Sequence, residues 1–266
     1  MRAAATGCPC PATLAEVQYG GQATFDGVMM RGRTRYAVAV RSPSGEIEVT
    51  DGALPTWGAG LKDIPFVRGL VALAEALPIG ARALAPRRRL ALVAGLAVGS
   101  IVPAWIAQRV TGDIGLPVVE PAVELALAVG LLWLYLQVSG KVVDVVRLFG
   151  NHGAEHKAVN ALEAGAPLTV ASVQTFSTRH PRCGTSFLLV LAATSAVTSA
   201  VIGTHVLALP FVLAVATELQ RINPVAGPGM ALQRLTTRQP TDAQVEVAIA
   251  ALEAVLAEAD RPRIAA

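Results

Sequence analysis

GTSFLLVLAATSAVTSAVIGTHVLALPFVLAVAT, residues 184–217, is a run of 34 residues without Asp, Glu, Lys or Arg. As one helix it would be about 51 Å long at 1.5 Å per residue, far beyond the roughly 30 Å of bilayer hydrocarbon. As two spans it is tight, with its turn near Gly203-Thr204-His205. Upstream, Leu90 to Gln108 is wholly uncharged, and Val118 to Val138 carries only Glu120 and Glu124. Each has the length of a membrane span. Charge chooses between the two readings of the long run. With four spans and the N-terminus inside, residues 1–89, 139–184 and 220–266 hold 11, 5 and 5 of the 22 Lys and Arg. That asymmetry follows the positive-inside rule. A single long span would put the last five arginines outside.

The composition agrees. The chain is 53% hydrophobic and 15% charged with a mean hydropathy of +0.52, whereas soluble domains run near 25% charged. The expected fold class is therefore mainly α: a multi-pass integral membrane protein of about four transmembrane helices, with a small β-containing N-terminal cytoplasmic unit and both termini cytoplasmic. The pI near 9.0 does not imply nucleic acid, because the cations are dispersed rather than gathered on an aromatic-rich segment. Three cysteines, an odd and scattered set, argue against a disulfide framework. Met1 to Glu16 has no apolar core for a signal peptide, and Cys8 and Cys10 read as free thiols in a loose tail.

The organisation expected is a disordered tail at 1–16, a β-containing unit at 17–60, an amphipathic interfacial helix within 61–85, a first transmembrane pair at 86–138, a His/Cys segment at 139–184, a hairpin at 185–219 and a C-terminal segment at 220–266. Tyr36 to Arg41 and Glu46 to Thr50 are strand-like, joined by the turn sequence Ser42-Pro43-Ser44-Gly45. Thr241 to Glu258 reads as a helix: Thr241 and Gln244 fit a capping box, and Val245, Ile249, Leu252, Val255 and Leu256 fall on one face. The glycines in Tyr19-Gly20-Gly21-Gln22 and in Gly27-Val28-Met29-Met30-Arg31-Gly32 read as sharply turning loops.

Three of the four histidines and the one cysteine outside the tail fall within 32 residues: His152, His156, His180 and Cys183. With Asn151 as a helix cap, His152 and His156 stand four apart on one face, a spacing that lets two imidazoles meet one ion. His180 and Cys183 would complete a tetrahedral set. His152-Gly-Ala-Glu155-His156 also matches the inverted zinc-protease string, in which the glutamate is general base. Two other readings stand beside the metal site: a purely structural polar cluster, and a nucleophilic Cys183 with a thiolate stabilised by His180. Glu218, closing the long apolar run, is a second ionisable suspect. Gln233-Arg234-Leu235-Thr236-Thr237-Arg238 is a candidate grip for a phosphate or lipid head group, with topology alone as the other reading. Asp26 and Arg31 are candidates to face the histidines.

Tyr19-Gly-Gly-Gln-Ala, Gly27-Val-Met-Met-Arg-Gly32, His152-Gly-Ala-Glu-His-Lys157, His180-Pro-Arg-Cys-Gly-Thr-Ser-Phe187 and Leu232-Gln-Arg-Leu-Thr-Thr-Arg238 together resemble the YqhQ-like bacterial family, a domain-of-unknown-function family described as predicted metal-dependent enzymes. The resemblance covers about Val17 to Leu256. It implies a multi-pass bacterial inner-membrane protein whose histidine motifs form a metal site, and it supplies no substrate. Asp26 stands where the family has glutamate.

The functional expectation is a metal-dependent enzyme, a hydrolase at the cytoplasmic face. His152, His156, His180 and Cys183 would be ligands of a divalent ion, Zn²⁺ by chemistry, with Glu155 as catalytic base. The alternative is a non-enzymatic scaffold or assembly factor with a structural metal or polar cluster. Expected partners are the lipid bilayer and, optionally, further copies in a homo-oligomer, with no nucleic acid.

Overall fold

The computed structural model describes residues 19–32, 34–55, 58–61, 63–82, isolated helical positions between 102 and 134, and residues 143–202 and 208–257. Four strands come first: β1 (Gly20–Ala23), β2 (Gly27–Arg31), β3 (Arg35–Arg41) and β4 (Ile47–Ala53). They form an antiparallel meander in the order β1-β2-β3-β4. The first hairpin closes through Thr24, whose amide donates to the Gly27 carbonyl and whose hydroxyl accepts from the Gly27 amide. The helices are α1 (Val67–Arg82), α2 (Val143–Glu163), the single turn α3 (Val170–Val173), α4 (Gly184–Ile202), α5 (Leu209–Leu219), α6 (Asn223–Thr236) and α7 (Asp242–Leu256).

Alternation sorts the sheet into two faces. Val28 and Met30 of β2 and Ala37 and Ala39 of β3 are fully buried against α2 and α7. Met29, Tyr36 and Val38 face the other way and pack with Leu54. On α2, Ala154, Ala158 and Ala161 recur at helical spacing. Their small side chains let the helix lie close to the sheet, which fixes the residues between them relative to β1. α7 presents Val245, Ala248, Leu252 and Val255 to the same core. Burying each Val or Leu is worth about 1.5–3 kcal/mol. The α7 capping box is complete, with the Thr241 side chain on the Gln244 amide and the Gln244 side chain returning to the Thr241 amide.

The multi-pass architecture is overturned. Among the described residues, no helix is long and apolar enough to cross a membrane, and a four-stranded antiparallel sheet with packed helices makes this an α/β fold rather than a mainly α one. The run at 184–217 divides into α4 and α5, which pack on one another, while α4 also packs along α6 and α5 along α1. α4 carries Thr185, Ser186, Thr194, Ser195, Thr198 and Ser199, and Ser186, Thr194 and Thr198 are buried. α5 has 11 residues and reaches only about 16 Å. Helix-to-helix burial takes up part of this hydropathy, at Val190, Val212, Ala214 and Ala216, whereas Val197, Val201, Leu209 and Phe211 are exposed. The membrane, transmembrane and inner-membrane assignments fall with the multi-pass architecture. The proposed spans at 90–108 and 118–138 lie largely outside the described residues, as does the tail at 1–16.

Glu218 has a structural partner set. It accepts from the Arg68 guanidinium and from the Phe66 amide at 3.0 Å, tying the start of α1 to the end of α5. These bonds hold its carboxyl down at about 2. A depressed acid contributes stability above its ordinary pKa of 4.5 and loses it as pH falls toward 2. Thermal unfolding of wild type and Glu218→Gln should therefore differ constantly above about pH 5, with the gap closing below pH 4. A gap that ignores pH would contradict this pairing.

Candidate metal centre

Asn151 is not a cap. α2 begins eight residues earlier, at Val143, so His152 and His156 lie mid-helix, one turn apart. The Asn151 amide instead donates to the Thr24 carbonyl at 2.9 Å and accepts from Gln244 at 2.9 Å, joining the sheet, α2 and α7.

Both histidines are oriented by backbone carbonyls. His152 Nδ1 lies 2.9 Å from the Thr236 oxygen at the end of α6. His156 Nδ1 lies 2.6 Å from the Thr178 oxygen in the strap between α3 and α4. A carbonyl only accepts, so each Nδ1 carries the proton and each Nε2 keeps its lone pair. His152 Nε2 faces the Cys183 sulfur at 3.2 Å. Ligand atoms of His152, His156 and Cys183 lie within 4.8 Å of one another. Cys183 precedes α4, and its Sγ accepts from the Thr185 amide at 3.3 Å.

This donor set fits a zinc-like ion. Two imidazole nitrogens with outer N–H groups fixed by carbonyls, plus one thiol sulfur, are the borderline-soft ligands Zn²⁺ takes, and the carbonyls are the outer support such sites use. His180 is close but does not join. Its Nδ1 accepts from the Arg182 amide at 3.3 Å and its Nε2 lies 3.2 Å from Glu163, so neither nitrogen has a lone pair to give. Burial lowers its pKa, with Glu163 opposing. Gln233 clamps its backbone, accepting from the His180 amide at 2.9 Å and donating to its carbonyl at 2.8 Å.

Glu155 sits beside the trio, 5% exposed, with Oε2 3.5 Å from His156 Nε2. Burial pushes its carboxyl up to about 7, opposed by the neighbouring His152 and by a hydrogen bond from the Gly21 amide. Gly21 is in β1 and Gly27 to Arg31 form β2, so neither glycine-rich stretch is the loop expected. A Cβ at Gly21 would fall 2.6 Å from Glu155 Cγ and 2.6 Å from the Met29 oxygen, so only glycine lets the strand edge touch this carboxylate. The same α2 face holds the strap: the Lys157 ammonium donates to the Gln174 and Phe176 carbonyls, and the Asn160 amide to those of Ser177 and Arg179. Desolvation lowers the Lys157 pKa. These bonds set where the Thr178 carbonyl meets His156.

The site opens on a cavity of about 580 Å³ whose lining includes Gly21, Arg31, His152, Glu155, Arg182 and Cys183. Arg31 lines the same cavity as the histidines while its guanidinium pairs with Glu75 of α1, whereas Asp26 lines a different cavity beside Arg238 and Thr241. Gln233 and Thr236 serve the site through His180 and His152, a use not read from their sequence. The Thr178 and Thr236 carbonyls, Gly21, Lys157 and Glu163 had no sequence signal, apart from the glycine-rich spelling around Gly21.

Gly153 supplies a test. Alanine in a helix is favoured over glycine by about 1 kcal/mol. Here a Cβ would collide with the Arg238 carbonyl oxygen, two residues beyond the carbonyl that orients His152. Gly153→Ala should therefore destabilise the protein and weaken metal binding about 10–100-fold, the usual effect of losing an outer-shell partner. Unfolding and zinc titration measure both, and a stabilised variant of unchanged affinity would contradict the packing.

Comparison with known proteins adds a family and no activity. The model for the family "Protein of unknown function (DUF1385)" matches residues 87–258. "Uncharacterized protein YqhQ" of Bacillus subtilis (strain 168) is 30% identical, the match covering 90% of this chain and 92% of that protein. No solved structure matches the chain. A family model spanning more than half the chain, with a relative similar along nearly all of it, means that the chain belongs to the DUF1385, YqhQ-like family.

Proposed function

We propose that the protein is a metal-dependent hydrolase in which His152, His156 and Cys183 hold a divalent ion, Zn²⁺ by the chemistry of the donors, and Glu155 manages the proton. The observation that carries this reading is the pair of fixed imidazoles: with both Nδ1–H groups on carbonyls, two Nε2 lone pairs and Sγ converge beside a buried carboxylate on an open cavity. Three protein ligands leave a fourth position for water or substrate, the pattern of catalytic rather than structural zinc. When bound, the ion would polarise a substrate carbonyl and acidify water toward pH 7. Glu155, near 7 without a cation, accepts a proton from the attacking water and returns it to the leaving group. The Gly21 amide keeps its carboxylate turned to the cavity, and Lys157 and Asn160 hold the strap that orients His156. A cavity near 580 Å³ suits a small substrate.

Zinc-loaded protein should hydrolyse at least one class in a panel of amides, esters and phosphoesters, lose that activity to a chelator and regain it with Zn²⁺. A fully loaded protein inert across the panel, or an activity indifferent to chelation, would contradict the reading. One observation favours a second reading. The 3.2 Å contact between His152 Nε2 and Cys183 Sγ is that of a cysteine–histidine nucleophile pair, with His152 in the role first assigned to His180. Alkylation of Cys183 separates the two: under the metal reading Zn²⁺ protects the thiol, and under the nucleophile reading protection is absent.

A further inference from the structure

From the placement of two arginines in the lining of this cavity we infer that the substrate of the proposed hydrolase is an anion, carrying a carboxylate or phosphate beside the bond that is cut. The inference rests on the hydrolase reading and adds the substrate class to it.

Arg31 and Arg182 both line the cavity, and their carboxylate partners do not. Arg31 Nη2 meets Glu75 Oε2 at 2.5 Å, with the Glu75 side chain completely buried and that of Arg31 23% exposed. Arg182 pairs with Glu163, its own side chain 40% exposed. In each case the arginine, and not its acid, is part of the cavity wall. A guanidinium has five N–H donors in a planar fork, and one carboxylate contact leaves others to direct at a ligand.

The two arginines flank the same end of β1. Gly20 is the register partner of Arg31, and Arg182 Nη2 reaches the Tyr19 carbonyl at 3.4 Å. The next residue along, Gly21, touches Glu155. A strand advances about 3.4 Å per residue, so the backbone positions that Arg31 and Arg182 meet, Gly20 and Tyr19, lie one and two such steps from Gly21. An oxyanion on the substrate would accept charge-assisted, fork-shaped bonds there, leaving its neighbouring bond at the metal trio. A neutral substrate would forgo these charge-assisted bonds.

Cobalt-loaded protein tests this without an activity assay, because the visible bands of Co²⁺ respond when a hydroxamate enters its open position. The probes are succinic monohydroxamate, which carries a terminal carboxylate, and the neutral butyrohydroxamate of equal length. The anionic probe should bind at least ten-fold more tightly, about the scale of one charge-assisted hydrogen bond. Arg31→Met and Arg182→Met should each bring that ratio toward one while leaving the neutral probe's affinity and the cobalt stoichiometry unchanged. Arg31→Lys and Arg182→Lys should recover part of it. Equal binding of the two probes to wild type would overturn the substrate class and leave the hydrolase reading standing. Cobalt that does not bind, or bound cobalt that neither probe perturbs, would overturn the hydrolase reading and the inference together.

Discussion

Replacing His156 with alanine is expected to cost the protein its stoichiometric metal, with Zn²⁺ affinity falling by a few hundred-fold. Four-ligand structural zinc sites bind with about 10–16 kcal/mol, so one protein ligand carries about 3 kcal/mol. His156 is 2% exposed and is held by the Thr178 carbonyl, so no water-accessible neighbour can take its place without moving the strap. His152→Ala and Cys183→Ser should behave alike. His180→Ala is the informative control. Its ring nitrogens are engaged with Arg182 and Glu163, so the variant should keep close to one equivalent of metal. Elemental analysis of the purified set checks all four, and metal lost from His180→Ala alone would reverse the ligand assignment.

Glu155→Gln should separate function from stability. The variant is expected to keep its metal, lose about 10²–10⁴-fold in hydrolysis, and fold more stably than wild type when metal-free. The sign follows from the direction of the pKa. A carboxylic acid raised from 4.5 to about 7 in the folded protein favours folding least where it must ionise, so metal-free wild type loses stability as pH rises from 4.5 through 7. Above pH 7 the penalty approaches about 3 kcal/mol, and an uncharged glutamine avoids it. Stability given up at one buried group is what an active site requires and a packing residue does not. Denaturant unfolding at pH 8 in the presence of chelator is the measurement. A Gln variant less stable than wild type would mean that the carboxylate is there to hold the fold.

What the sequence disclosed depended on whether the relevant chemistry has a spelling. The four-residue step from His152 to His156 is visible because a helix puts both on one face, and Cys183 is visible because cysteine is rare here. The orienting groups are peptide carbonyls at Thr178 and Thr236, which every residue possesses and no pattern marks. His180 shares the spelling of a ligand. Only the fold brings Glu163, one helical stretch away, against its ring. The strands β3 and β4 follow from alternation and a turn sequence, but Gly20-Gly21 is spelled like a loop and opens a strand in which Gly21 admits Glu155. The apolar run at 184–217 misleads for a physical reason. Hydropathy records that Val, Leu and Ala leave water, not what they leave it for. In α4 and α5, Val190, Val212, Ala214 and Ala216 leave it for neighbouring helices, with Ser186 buried beneath Gln233 at 2.9 Å, while Val197, Val201, Leu209 and Phe211 stay exposed. Arginine counts flanking such a run have no means of distinguishing the two destinations.

The central claim is a three-ligand site of two imidazoles and one thiolate, and X-ray absorption at the zinc edge of the loaded protein tests it most directly. The account predicts one sulfur near 2.3 Å, two histidine nitrogens near 2.0–2.1 Å and a single further light atom, about the distances such ligands adopt, with the sulfur absent in Cys183→Ser. Zinc that binds without sulfur, or a third imidazole in the shell, would contradict it.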